Sequence, residues 1–167
     1  MKRLFFVFAL LLAGCSSAPE GIEPVRPFEL ERYLGTWHEV ARLDHSFERG
    51  LTKVTAEYSM REDGGIHVVN RGIRQETGEV SEAIGRAYPV GQPDVAHLKV
   101  SFFGPFFGAY VVFELDPEYQ YAFVSGPNRD YLWLLARTPK VSEAVMTRFR
   151  SRAGELGFDL QPLIVNP

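Results

Sequence analysis

Few residues in this 167-residue chain are of types that make or break bonds, and their spacing argues against catalysis. Cys15 is the single cysteine, so neither an intramolecular disulfide nor a metal site built on several cysteines can form. His38, His45, His67 and His97 are scattered and show no zinc-ligand spacing. Asp44-His45-Ser46 contains the letters of a hydrolase triad, but neighbours on an extended chain point apart, whereas a working triad is assembled in space. Neither a nucleophile elbow nor a phosphate loop is present. The sequence therefore predicts a non-enzyme with no catalytic residue, no metal and no cofactor. Charged residues are 23% of the chain with both signs mixed and a formal net charge of −3, which gives no electrostatic case for nucleic acid.

Cys15 has a setting of its own. Lys2 and Arg3 precede an unbroken apolar run over residues 4–12, too short to span a bilayer, which needs about 20 residues. Basic end, apolar stretch and small residues have the layout of a secretory signal. Leu12-Ala13-Gly14-Cys15 resembles the lipobox of bacterial lipoproteins. The resemblance implies cleavage before Cys15, diacylation of its sulfur and acylation of its new amino group. One acyl chain holds a protein weakly, while two or three hold it firmly. Ser16 is similar to the sorting residue of outer-membrane lipoproteins. The implied location is the outer membrane, lipid-anchored, with the domain facing the periplasm. Residues 1–14 are thus read as signal, 15–27 as a lipidated tether rich in Ser, Pro, Gly and Glu, and 28–167 as the folded domain.

The domain must be built from strands. Turn signals recur every ten or so residues, and the runs between them alternate with period two. Eight strands are predicted, over 36–43, 52–60, 66–73, 79–88, 96–103, 109–115, 119–125 and 131–137. Short connections imply antiparallel neighbours, and closing such a set into a barrel removes both sheet edges. Thr138-Pro139 is read as opening a helix capped by Thr138 or Ser142. Val145, Phe149, Ala153 and Leu156 form its apolar stripe, and Gly157 ends it. Residues 131–136 are apolar on both faces, so one face can look inward while the other lies under the helix. Residues 158–165 are a last short strand or an extended tail.

Gly35-Thr36-Trp37 at the start of the first strand resembles the Gly-x-Trp signature of lipocalins, and Arg137 after the eighth resembles their third signature region. Asp116-Pro117-Glu118-Tyr119 departs from the Thr-Asp-Tyr usual between them. Tyr33-Leu34-Gly35-Thr36-Trp37, Asp44-His45, Phe47-Glu48-Arg49-Gly50 and Ser101-Phe102-Phe103-Gly104-Pro105-Phe106 are similar to the bacterial outer-membrane lipocalins. The fold class implied is all-β: an eight-stranded antiparallel up-and-down barrel with one C-terminal α-helix packed outside.

Strand directions then place the site. Strand one begins at Trp37 and strand eight ends at Arg137, so both lie at one end, where guanidinium can stack on indole for roughly 1–2 kcal/mol. Gly35, Trp37 and Arg137 are the expected floor. The other end carries loops 44–51, 74–79, 103–108 and 125–130, with Phe103, Phe106 and Phe107 as an apolar rim. Those rings either form a lip or fold back over the strands. Isolated charges are costly in a dry bore, so charged faces point out. The expected lining is Val54, Ala56, Tyr58, Val68, Asn70, Ala83, Gly85, Leu98, Val100, Trp133 and Leu135, to which the register implied by the lipocalin resemblance adds Tyr110 and Val112. The small members leave room for an apolar ligand. The resemblance implies lysophospholipid or fatty acid as ligand, carried or stored in envelope maintenance under stress, and the apolar rim allows a homodimer. An enzyme acting on envelope lipid, a carrier of another small hydrophobic ligand and a small transmembrane barrel are the competing readings.

Overall fold

In the computed structural model, which describes residues 16–166, the strands start and stop close to the turn residues. β1 (Gly35–Leu43), β2 (Leu51–Met60), β3 (Ile66–Arg74), β4 (Val80–Pro89), β5 (His97–Phe103), β6 (Phe106–Leu115), β7 (Tyr121–Ser125) and β8 (Leu132–Ala136) each pair antiparallel with the next. β1 also pairs with β8, so the sheet closes into the eight-stranded barrel. Period-two burial is plain in β2, where Val54, Ala56 and Tyr58 are buried and Lys53 and Glu57 are exposed.

β1 departs from simple alternation. Its register against β8 slips between Glu39 and Ala41. A bulge adds one residue and reverses the parity of the strand beyond it. Val40, Ala41 and Leu43 consequently pack in the outer core, while Glu39 and Arg42 are buried together on the other side. β1 also changes partner along one edge: Gly35 to His38 pair with β2, whereas Ala41 to Leu43 pair with β9 (Leu163–Val165). The chain's end thus fills the gap where β1 and β2 part.

Two helices complete the domain. α1 (Leu30–Tyr33), which periodicity did not reveal, delivers the buried Tyr33 to the closed end of the barrel. α2 (Glu143–Glu155) lies outside, with Phe149 and Ala153 buried against Phe123, Leu132 and Leu134. The Phe123 and Phe149 rings are 5.1 Å apart. β8 serves both sides as expected, with Leu132, Leu134 and Ala136 under the helix and Leu135 in the inner core. Ser142 is the cap, accepting from the Val145 amide. The Thr138 hydroxyl instead donates to the Lys140 carbonyl, so Thr138-Pro139 precedes the helix rather than opening it. Gly157, at φ +83°, donates to the Gly154 carbonyl while Phe158 donates to Ala153, a Schellman stop that needs the left-handed conformation glycine permits.

Residues 16–27, expected to be a loose tether, are laid along the barrel wall. Ile22 is buried in the outer core, the Val25 amide donates to the Val112 carbonyl at 2.8 Å, and the Ala96 amide donates to the Val25 carbonyl at 3.0 Å. The Ser16 carbonyl is 2.8 Å from His97 Nε2. Apolar residues at 22 and 25 provide the adhesion that composition alone concealed. The predicted signal segment 1–14 and Cys15 lie outside the described residues.

Candidate ligand cavity

The floor is built as the strand directions require. The Arg137 guanidinium sits 3.9 Å from the Trp37 ring centroid, and Trp37 is fully buried. Arg137 also donates to the carbonyls of Arg32 (2.8 Å), Thr36 (3.1 Å) and Tyr119 (3.2 Å), tying α1, β1 and the β6–β7 turn together. Gly35 has φ +95°, and a Cβ there would stand 3.4 Å from an Arg137 nitrogen, so glycine suits both the backbone and the close approach. Trp37 Nε1 donates to the Tyr33 carbonyl at 2.7 Å.

Above this floor three phenols join. Tyr110 is linked to Tyr33 at 2.7 Å and to Tyr58 at 3.0 Å through their hydroxyls. Burial pushes all three phenol pKa values up, that of Tyr58 to about 12, so they remain neutral and bonded to one another. Tyr58 and Tyr110, both expected in the lining, therefore have their hydroxyls engaged with protein. Tyr33 was not anticipated.

From the tyrosines to the opposite end runs a cavity of about 440 Å³. Of the expected lining, Val54, Ala56, Tyr58, Val68, Asn70, Val100, Tyr110, Trp133 and Leu135 face this cavity. Four expected lining residues do not. Leu98 and Val112 pack into the inner core beside Tyr33 and Trp37. Ala83 lines a smaller side cavity of about 150 Å³. At Gly85 a Cβ would fall 2.6 Å from the Ser101 carbonyl and 2.7 Å from the Phe102 ring, so the room left by glycine is taken by Phe102. Phe102 itself lines the cavity and meets Phe47 at 5.1 Å. At the mouth, Phe103 and Phe106 are 80% and 72% exposed. Phe107 folds back: Arg86 and Lys99 lie 5.4 and 5.1 Å from its ring centre, and Tyr88 packs on it.

The expectation that charges avoid the interior fails on one wall. Glu39, Arg42, His45 and Glu48 are only 4%, 1%, 5% and 6% exposed, and Glu39, His45 and Glu48 line the cavity. Arg42 donates to Glu39 at 2.6 Å and to the carbonyls of Glu48 and Leu51. Asn166, from the end of β9, donates to the Glu39 carboxylate at 3.1 Å and to its carbonyl at 2.8 Å. Trp133 Nε1 donates to Glu48 at 3.0 Å. His45 Nε2 is 3.1 Å from the same Glu48 oxygen, off the line a hydrogen bond requires. Burial and the neighbouring Glu48 charge push the Glu39 carboxyl up to about 8, with Arg42 opposing. Burial also works against Glu48, but His45 and the Trp133 N–H outweigh it and hold its pKa below the ordinary value. The pair thus shares one proton at neutral pH, and Arg42 balances the remaining charge. The group satisfies backbone where β1 leaves β2. Glu39 shares the parity of the inward Trp37, but Arg42 faces the same side only because the bulge after Glu39 reverses parity, and His45 and Glu48 only because loop 44–50 folds inward.

Residues 28–167 match the family model described as the lipocalin-like domain. The outer membrane lipoprotein Blc of Vibrio cholerae is 58% identical over 98% of this chain and 97% of its own length. The outer membrane lipoprotein Blc of Escherichia coli K12 is 51% identical over 93% of this chain and 89% of its own. Among solved structures, insecticyanin from the tobacco hornworm Manduca sexta superposes with a TM-score of 0.70 at 20% identity, covering 90% of this chain and 86% of that one.

Proposed function

The chain belongs to the lipocalin family, and on that premise we propose that it is a lipid-anchored carrier at the outer membrane, taking a lysophospholipid or fatty acid into its barrel for transport or storage in envelope maintenance under stress. The observation that carries this reading is the cavity of about 440 Å³, closed at one end by Tyr58 and Tyr110 above the Trp37–Arg137 floor and walled mainly by apolar side chains. Its size and lining suit an acyl chain. The names of the Vibrio and Escherichia relatives support the outer-membrane location, as does Cys15 in its lipobox-like setting, with the domain facing the periplasm. The exposed Phe103 and Phe106 support contact of the mouth with membrane or with a second copy of the chain. The protein binds and releases its ligand without chemical turnover.

The test is direct. Organic-solvent extraction of the purified protein should release an acyl lipid. Titration with lysophospholipid should change tryptophan emission saturably, because Trp133 lines the cavity. Absence of a saturable response to every acyl ligand tried refutes the carrier reading. Cys15→Ser should move the protein from the membrane fraction to the soluble one.

A further inference from the structure

The deep end of the cavity is built differently from its walls. Along β2, Val54 and Ala56 line the wall, and the next inward residue, Tyr58, lies opposite Gly35 at the barrel floor. Beyond Tyr58 and Tyr110 the space ends: Trp37, Leu98 and Val112 belong to the packed core and line no part of the cavity. The two phenols are fixed in place. Tyr110 is bonded through its hydroxyl to Tyr33 at 2.7 Å and to Tyr58 at 3.0 Å. The Tyr33 ring stands 4.6 Å from that of Trp37 and 5.7 Å from that of Tyr58, and the Tyr33 carbonyl accepts from Trp37 Nε1 at 2.7 Å. With the hydroxyls spent on one another, the apolar end of a ligand is what suits this floor.

Magnitudes decide what an overlong chain does on reaching it. Each methylene buried raises affinity about fourfold. Displacing a phenol would strand buried hydroxyls, at a cost of about tenfold or more. A chain that has reached the phenols therefore gains nothing by pushing on, and its further methylenes stay at the mouth. A floor of methionine, which adapts its shape, would yield instead. We propose that Tyr58 and Tyr110 are the chain-length stop of the barrel, against which acyl ligands are graded by length. This rests on the carrier reading and adds a length criterion for the cargo together with the residues that set it.

The experiment titrates the full chain carrying Cys15→Ser with a homologous series of saturated lysophospholipids sharing one head group, read by tryptophan emission. Affinity should climb about fourfold per methylene and then stop climbing at one chain length. Tyr58→Leu and Tyr110→Leu should each move that break to longer chains, while the climb below it keeps its slope. Ala56→Leu builds into open cavity one inward position above Tyr58 and should move the break to shorter chains. Absence of a break in the parent, or a break left in place by either folded tyrosine variant, overturns the stop and leaves the carrier reading standing. Should the tyrosine variants not fold, as thermal unfolding would reveal, Ala56→Leu decides: an unmoved break means that the chain never reaches the phenols. If no member of the series binds, both readings fall.

Discussion

Glu39→Gln isolates the energetic cost of the buried acid pair. An ordinary glutamate ionises near 4.5, whereas Glu39 holds its proton until about 8. Between those values the folded chain binds a proton that the unfolded chain has released, so stability falls as pH rises through this window and levels off above it. At about 1.4 kcal/mol per pH unit, the full cost of ionising Glu39 is on the order of 5 kcal/mol. Glu48 acts in the opposite direction: its lowered pKa contributes stability above the ordinary glutamate value, which is lost as pH falls below it. Glutamine has the shape of the protonated acid. It can accept from Arg42 and donate to Glu48, and it cannot ionise. Glu39→Gln should therefore match the parent within about 1 kcal/mol at pH 5 and exceed it by a few kcal/mol at pH 9. Urea unfolding followed by tryptophan emission at pH 5, 7 and 9 measures this. Parallel stability curves for parent and variant across that range would refute the shared-proton account.

The floor and walls support three more expectations. Arg137→Gln removes the guanidinium from Trp37 and its bonds to three backbone carbonyls, and should cost about 2–4 kcal/mol in urea unfolding. Gly85→Ala places a methyl against the Ser101 carbonyl and the Phe102 ring; about 1–3 kcal/mol of destabilisation is expected, with an unchanged midpoint counting against that contact. In an ultraviolet pH titration Tyr58 should ionise only near 12, and ionisation near 10 by all seven tyrosines of the folded protein would contradict the phenol network.

Much of the barrel was legible because alternation and turn chemistry are local. β2 shows it best, with Lys53 and Glu57 marking the outer face and leaving Val54, Ala56 and Tyr58 for the inner one. The dual role of β8 was legible too, since its residues are apolar on both faces. What escaped depends on contacts distant in sequence. Glu48 is buried because Trp133, 85 positions away, donates to it, and Glu39 because Asn166, 127 positions away, reaches it. The β1 bulge reverses parity with no glycine or proline at the slip to announce it. Tyr33 lies on a helix of one turn, too short for a period to register. Lining residues were assigned by face alone, and face does not tell depth: Leu98 and Val112 point inward but lie within the packed floor.

The adhesion of residues 16–27 alters what membrane attachment would mean. With the Ser16 carbonyl held by His97, acyl chains on Cys15 would connect to the barrel through a single peptide unit, about 3.8 Å between neighbouring Cα atoms. Such a leash has no slack. The domain would ride on the bilayer surface instead of roaming the space beyond it.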